Sequence, residues 1–142
     1  MTRGQRLREA INWINASTLT GLLIARTGRA EVARQPDGIR TATRYRGVGP
    51  RRTFTVGNVL LTRHSAAELQ NRPELLSHES RHSTQWALLG PLFVPCYYIE
   101  VLISLLLTGD DAAANVFEVA ADLEAGGYAC RPLQRRAAQA RS

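Results

Sequence analysis

His78-Glu79-Ser80-Arg81-His82 is an H-E-x-x-H pentad. On a helix, residues four apart lie one turn apart on the same face, about 6 Å between side-chain bases. Two imidazoles so placed can both reach one Zn²⁺ at ~2.0–2.1 Å. Glu79 sits about 100° further round the helix axis, so its carboxylate can reach the open side of that ion. There it can take a proton from a water whose pKa the metal has lowered toward about 7. The bland alternative is a solvated polar helix face, with His78 and His82 satisfied by their neighbours.

A catalytic zinc takes a third protein ligand and leaves its fourth position open. Downstream of the pentad the candidates are Glu100, Asp110, Asp111, Glu118, Asp122 and Glu124. The best local pattern is Asn115–Asp122, in which Glu118 and Asp122 are four apart on one expected helix face. Glu118 is then the ligand, and Asp122 holds a histidine through its second ring nitrogen, which fixes the tautomer. The ordinary alternative is an exposed helix face. Glu100 is the competing ligand: it is the only charge in a long apolar run, and its burial would demand a partner such as Arg81 or a metal.

These residues need elements to carry them. Leu7, Ala10, Ile11 and Ile14 recur at helical spacing and predict a short amphipathic helix near the N-terminus. Leu19–Ala25 is a brief apolar run that reads as a strand. Residues 26–52 are Arg-rich and broken by Gly28, Pro36-Asp37-Gly38, Gly47, Gly49 and Pro50, which signal turns; Ile39–Tyr45 alternates weakly, as a strand would. Phe54–Thr62 is the clearest strand, with Gly57 marking a bulge or turn. The pentad helix is expected from about Glu74 to Leu89, with Pro73 in its first turn, Asn71 as cap and Gly90-Pro91 as the stop. Residues 87–108 form the longest apolar stretch. Gly90, Pro91, Pro95 and Glu100 interrupt it, so it reads as a buried or membrane-touching helix, with a true span as the alternative. A last helix is expected over Asp111–Ala125, ended by Gly126-Gly127. His64 reads as a surface residue, and Tyr97 and Tyr98 suit packing or an interfacial belt.

The chain has 142 residues, 44% hydrophobic and 21% charged. That fits one globular α+β domain over 1–130, followed by a basic polar tail over 131–142. Two cysteines, Cys96 and Cys130, exclude a disulfide scaffold and a Cys₄ zinc site. No long apolar segment of the secretory type opens the chain, so a cytoplasmic or membrane-associated location is expected. The net charge is +6, and all 18 basic residues are arginine. The sign is uneven. Residues 1–63 carry 12 Arg against 3 acids (+9), residues 64–128 carry 2 Arg against 9 acids (−7), and the tail adds 4 Arg. A nucleic-acid coat would be more uniform, so that class is disfavoured. The arginines of 26–52 suit either a phosphate or lipid headgroup, or a solvated loop.

HESRH followed by NVFEVAAD resembles the gluzincin arrangement of zinc peptidases. The resemblance implies His78, His82 and Glu118 as ligands of one Zn²⁺, Glu79 as general base and Asp122 behind a histidine. Residues 53–86, 34 of the 142, resemble the metallopeptidase-like domain of bacterial extracellular contractile-injection-system core proteins. The shared pattern is a strand of the AFT-x-G type, a loop and LLxHExxHxxQ. It is matched by Phe54, Thr55, Gly57, Leu75, Leu76, His78, Glu79, His82 and Gln85. Three features depart from these patterns. Trp86 stands where that family has a second glutamine, Ser80 and Arg81 stand where bulky apolar residues are common, and 35 residues lie between His82 and Glu118.

The implied fold is a small zincin-like domain, with a short twisted sheet packed on the pentad helix and a downstream glutamate-bearing helix. In such folds the strand before the motif lines the active site and can pair with an extended peptide. That places the backbone near Gly57 and Asn58 at a substrate cleft, with a plain core strand as the alternative, and makes Tyr128 or Arg81 the candidate oxyanion donors. The expected activity is zinc-dependent hydrolysis of a peptide bond. The competing expectation is a non-catalytic zincin-like protein, with a structural metal or none, that contacts a partner or a membrane through 87–107.

Overall fold

A computed structural model describes residues 1–50 and 52–132. The expected basic tail, 131–142, lies outside the described residues apart from exposed Arg131 and Pro132. The protein is α+β, with six α-helices and a four-stranded mixed sheet among the described residues. The chain divides into two compact units, Met1–Pro91 and Leu92–Ser142.

The first unit opens with α1 (Arg3–Ile14). Thr2 and Gln5 cap it reciprocally, the Thr2 hydroxyl accepting from Gln5 N and the Gln5 amide oxygen accepting from Thr2 N. The face that α1 buries is polar. Arg8 and Asn12, one turn apart, are buried, whereas Leu7 and Ile14 of the expected apolar stripe are exposed. Leu19–Ala25, read as a strand, belongs instead to α2 (Ser17–Thr27). Its buried residues are Ser17, Thr18, Gly21 and Ala25, which recur at helical spacing and are small. This small-residue face lets the helix axis approach the sheet closely: a Cβ at Gly21 would meet Val56 O and Val59.

The sheet comprises β1 (Glu31–Arg34), β2 (Arg40–Thr43), β3 (Phe54–Val56) and β4 (Val59–Leu61), in the order β1-β2-β4-β3. Only the β2–β4 pair is parallel. The continuous strand expected over Phe54–Thr62 is a tight hairpin. Gly57 takes φ +60 and begins a two-residue turn between Val56 and Val59, a position that favours glycine. Alternation sorts the side chains. Val59 faces α2, while Leu60 joins Ile39 and Leu69 in a core cluster with Leu75 and Leu76 packed against it. Thr55 is the cross-strand partner of Leu60 and so shares that second face.

A short α3 (Ala66–Gln70) starts from a Ser65–Glu68 capping box. The Ser65 backbone N–H and hydroxyl beside Glu68 hold its carboxyl below the usual carboxylate value. Asn71 closes α3 rather than opening the next helix. The pentad helix, α4 (Pro73–Leu89), begins with Pro73 in its first turn and Arg72 at its N-cap, and it packs on β3 and α1. Gly90, at φ 56, ends it, and Gly90–Leu92 forms one 3₁₀ turn.

The second unit contains α5 (Phe93–Thr108) and α6 (Val116–Ala120). By length and composition the helical stretch Pro73–Thr108 can cross a membrane. The 16 residues of α5 alone rise about 24 Å, short of the roughly 30 Å hydrocarbon core. Ile99, Leu102 and Leu106 on α5 are exposed. The helix expected over Asp111–Ala125 shrinks to the five residues of α6. Asp110 Oδ1 instead accepts from the amides of Ala112 and Ala113, and Asn115 caps α6 by accepting from Phe117 N. Local side-chain-to-backbone bonds of this kind compete with helix before Val116.

Two glycines test the packing in opposite directions. A Cβ at Gly57 would overlap Thr18 N and Ser17 C as well as demand a positive φ. Gly57→Ala is therefore expected to cost about 2–4 kcal/mol in urea unfolding. Gly4 lies inside α1 with only Thr2 Oγ1 at 4.0 Å, so Gly4→Ala is expected to add about 0.5–1 kcal/mol.

Candidate metal centre

Helix α4 delivers the pentad as its spacing predicts. His78, Glu79 and His82 are all buried, at 2%, 3% and 7% exposure, which excludes the solvated-face reading. The two imidazole Nε2 atoms face each other at 3.0 Å, with ring planes 82° apart. On the other side of the His82 ring, Nδ1 lies 2.8 Å from Gln85 Oε1. With the His82 proton on Nδ1, the Gln85 oxygen accepts it and Nε2 is the nitrogen left to a metal. Gln85, and not Asp122, stands beside a histidine ring, where a partner to the second nitrogen would orient a metal ligand.

Glu79 is held from the sheet. The Thr55 hydroxyl donates to Glu79 Oε2 at 2.7 Å. The Thr55 carbonyl in turn accepts from the Trp86 indole N–H at 2.8 Å. Thr55 pairs with Leu60 next to the hydrogen-bonded Val56–Val59 closing pair, so its backbone groups point away from β4. One residue of the edge strand therefore grips α4 twice, at Glu79 and two turns later at Trp86. This explains the indole at position 86. It also occupies the outward carbonyl that an added peptide strand would have used, and so alters the expected strand-pairing role of β3.

The back of α4 is tied to α1 by polar contacts. Arg8 Nη1 donates to Ser80 Oγ at 2.6 Å, and Nη2 donates to Asp37 O at 2.8 Å. Asn12 Nδ2 donates to Asn58 Oδ1 and to Ser83 O, both at 2.9 Å. Ser83 Oγ donates to the same Asn58 oxygen, and Asn58 Nδ2 donates to Thr18 Oγ1, each at 2.9 Å. Ser80, anomalous beside the bulky apolar pattern, is the hydroxyl that meets a buried guanidinium. Gly57 and Asn58, expected at a substrate cleft, are buried against Ser17, Thr18 and Asn12. Asn58 joins the hairpin to three helices and does not line an opening.

In the second unit Glu118, in the first turn of α6, is 2% exposed. Its Oε1 accepts from the Tyr97 hydroxyl at 2.6 Å. Burial, then the adjacent Glu118 carboxylate, push the Tyr97 phenol far above its ordinary value, so it stays protonated and donates. From sequence Tyr97 suits packing or an interfacial belt. Its spacing from Glu118 crosses a loop and carries no periodic signal, so this contact was not legible. Asp122 lies beyond the end of α6, exposed and at φ 74. The premise that it shares a helix face with Glu118 fails, and its Oδ1 accepts weakly from Ala125 N at 3.4 Å. Glu100 and Tyr128 are half-buried, Arg81 is exposed, and His64 is half-buried with its N–H donating to Thr62 Oγ1.

Among the described residues, His78 and His82 of the first unit and Glu118 of the second are buried side chains of the metal-ligating type. Glu100 is outside that group. The ion's identity is not specified by this set. Comparison with family models, curated proteins and solved structures returns no match.

The grip of Thr55 on Glu79 is testable by unfolding. Thr55→Val, which removes a hydrogen bond to a buried carboxylate, is expected to cost about 1.5–3 kcal/mol. Thr55→Ser, which keeps the hydroxyl, should recover the larger part of that loss.

Proposed function

We propose that the protein is a zinc-dependent hydrolase of the zincin type, acting on a peptide bond, with His78, His82 and Glu118 as ligands and Glu79 as general base. The observation that carries the reading is the buried imidazole pair, 3.0 Å apart through Nε2, with Gln85 Oε1 against the far nitrogen of His82 and the neighbouring Glu79 anchored by Thr55. The donor chemistry fits. Two neutral imidazoles and a carboxylate match the preferences of Zn²⁺, and such sites keep one position open in catalysis.

Zn²⁺, when bound, supplies a Lewis acid that polarises a carbonyl and acidifies water. Glu79 takes the proton of the attacking water and returns it to the leaving amine. Thr55, by holding Oε2, fixes the plane of that carboxylate, and Gln85 keeps the His82 ring from turning. Both act by removing rotational freedom before the reaction.

The experiment is metal analysis paired with hydrolysis of a fluorogenic peptide library. Wild type is expected to purify with, or take up, one zinc per chain. His78→Ala, His82→Ala and Glu118→Ala should each lose it. Glu79→Gln should retain zinc and lose hydrolysis by at least about 10²-fold. Full zinc retention in Glu118→Ala, with loss in Glu100→Ala, would identify a different third ligand.

A second reading is favoured by the exposed apolar residues of α5: membrane association through 93–108, with or without catalysis. Flotation with phosphatidylcholine vesicles tests it. Wild type should co-float and Leu102→Asp/Leu106→Asp should not; wild type that stays at the bottom of the gradient would dismiss this reading.

A further inference from the structure

A carboxylate can hold a metal through one oxygen or through both. A two-oxygen Glu118 would fill the place that a hydrolytic water needs in a four-coordinate site. The question depends on the reading of Glu118 as a ligand, and the chain contains a feature that bears on it. The Tyr97 hydroxyl donates to Glu118 Oε1 at 2.6 Å, the short geometry of a charge-assisted O–H···O⁻ bond. Both partners are packed within the second unit. The Tyr97 ring packs at 5.7 Å from Phe93, 5.9 Å from Tyr98 and 6.3 Å from Phe117. Phe93 and Phe117 meet edge to face at 5.2 Å. On the other side, Asn115 caps α6 at Phe117 N, one residue before Glu118. A phenol fixed in an aromatic cluster and a carboxylate fixed in a capped turn define which oxygen is used for what.

We propose that Tyr97 is a positioning residue that reserves Glu118 Oε1 and so makes Glu118 a one-oxygen metal ligand, keeping a coordination position open for water. Tyr97 does not touch the reacting atoms in this scheme. It sets the coordination number, and with it the difference between a catalytic and a closed site.

Cobalt(II) loading of the full chain tests this, because its visible bands report coordination number independently of any substrate. Wild type loaded with Co²⁺ should show the intense bands of a four-coordinate ion. Tyr97→Phe keeps the ring and its packing but frees Oε1. Its bands should fall roughly threefold as the coordination number rises, with metal stoichiometry unchanged. Tyr98→Phe, on the neighbouring exposed ring, should leave the spectrum as in wild type. Wild-type bands in Tyr97→Phe would overturn the role of Tyr97 while leaving the metal site intact. Failure of wild type to take up cobalt or zinc would overturn the metal reading and this proposal with it. Should Tyr97→Phe not fold, the infrared difference spectrum of zinc-loaded against zinc-free wild type decides. A carboxylate stretching splitting wider than that of free carboxylate supports one-oxygen ligation; a narrower splitting contradicts it.

Discussion

The hold of Thr55 on α4 is the constraint from which the site's geometry follows. A helix resting on a sheet can rotate about its axis and slide along it, and either motion would turn His78 and His82 away from a common point. Two hydrogen bonds from one strand residue, hydroxyl to Glu79 and carbonyl from Trp86, remove both freedoms. Their anchor points are seven residues apart on α4, two turns on the same face. The register of β3 against β4 matters equally, since a one-residue slip would send the Thr55 side chain to the α2 face.

The opposite side of α4 is held by polar matching in place of apolar interdigitation. Arg8 and Asn12 of α1 face Ser80 and Ser83 of α4, and Asn58 of the hairpin turn completes the network. Buried polar groups are costly when unpaired and specific when paired. Such a network accepts one arrangement of three helices and a turn, whereas Leu-on-Leu packing would tolerate several. The same choice leaves Leu7, Ile14, Leu19 and Leu23 exposed, because the faces that would otherwise carry the core are occupied by small and polar residues.

This inversion explains what was and was not legible in the sequence. The pentad helix, its proline start and its glycine stop were readable because α4 obeys local rules. The α+β class followed from the strand-rich run before it. Reading burial from apolar spacing failed on α1, where Arg8 and Asn12 are inside, and on α2, where Ser17, Gly21 and Ala25 formed an overlooked helical stripe. The Ser65–Glu68 capping box was present in the sequence and would have revealed α3. Glu118, singled out as a metal ligand, is buried, but the helix pattern that pointed to it ends at Ala120. Asp122 therefore lost the geometric argument for its role, and Gln85, noted only as a motif match, acquired it at His82. Long-range pairs such as Thr55–Glu79 and Tyr97–Glu118 depend on tertiary closure and leave no periodic trace.

The proposed reading has His78, His82 and Glu118 as ligands of one divalent ion. Crystals of the zinc-loaded full chain, measured on both sides of the zinc absorption edge, address it directly. The account predicts one anomalous peak within about 2.3 Å of both Nε2 atoms and one Glu118 oxygen, with a water on its remaining side. A peak on other residues, or none next to His78 and His82, would contradict it.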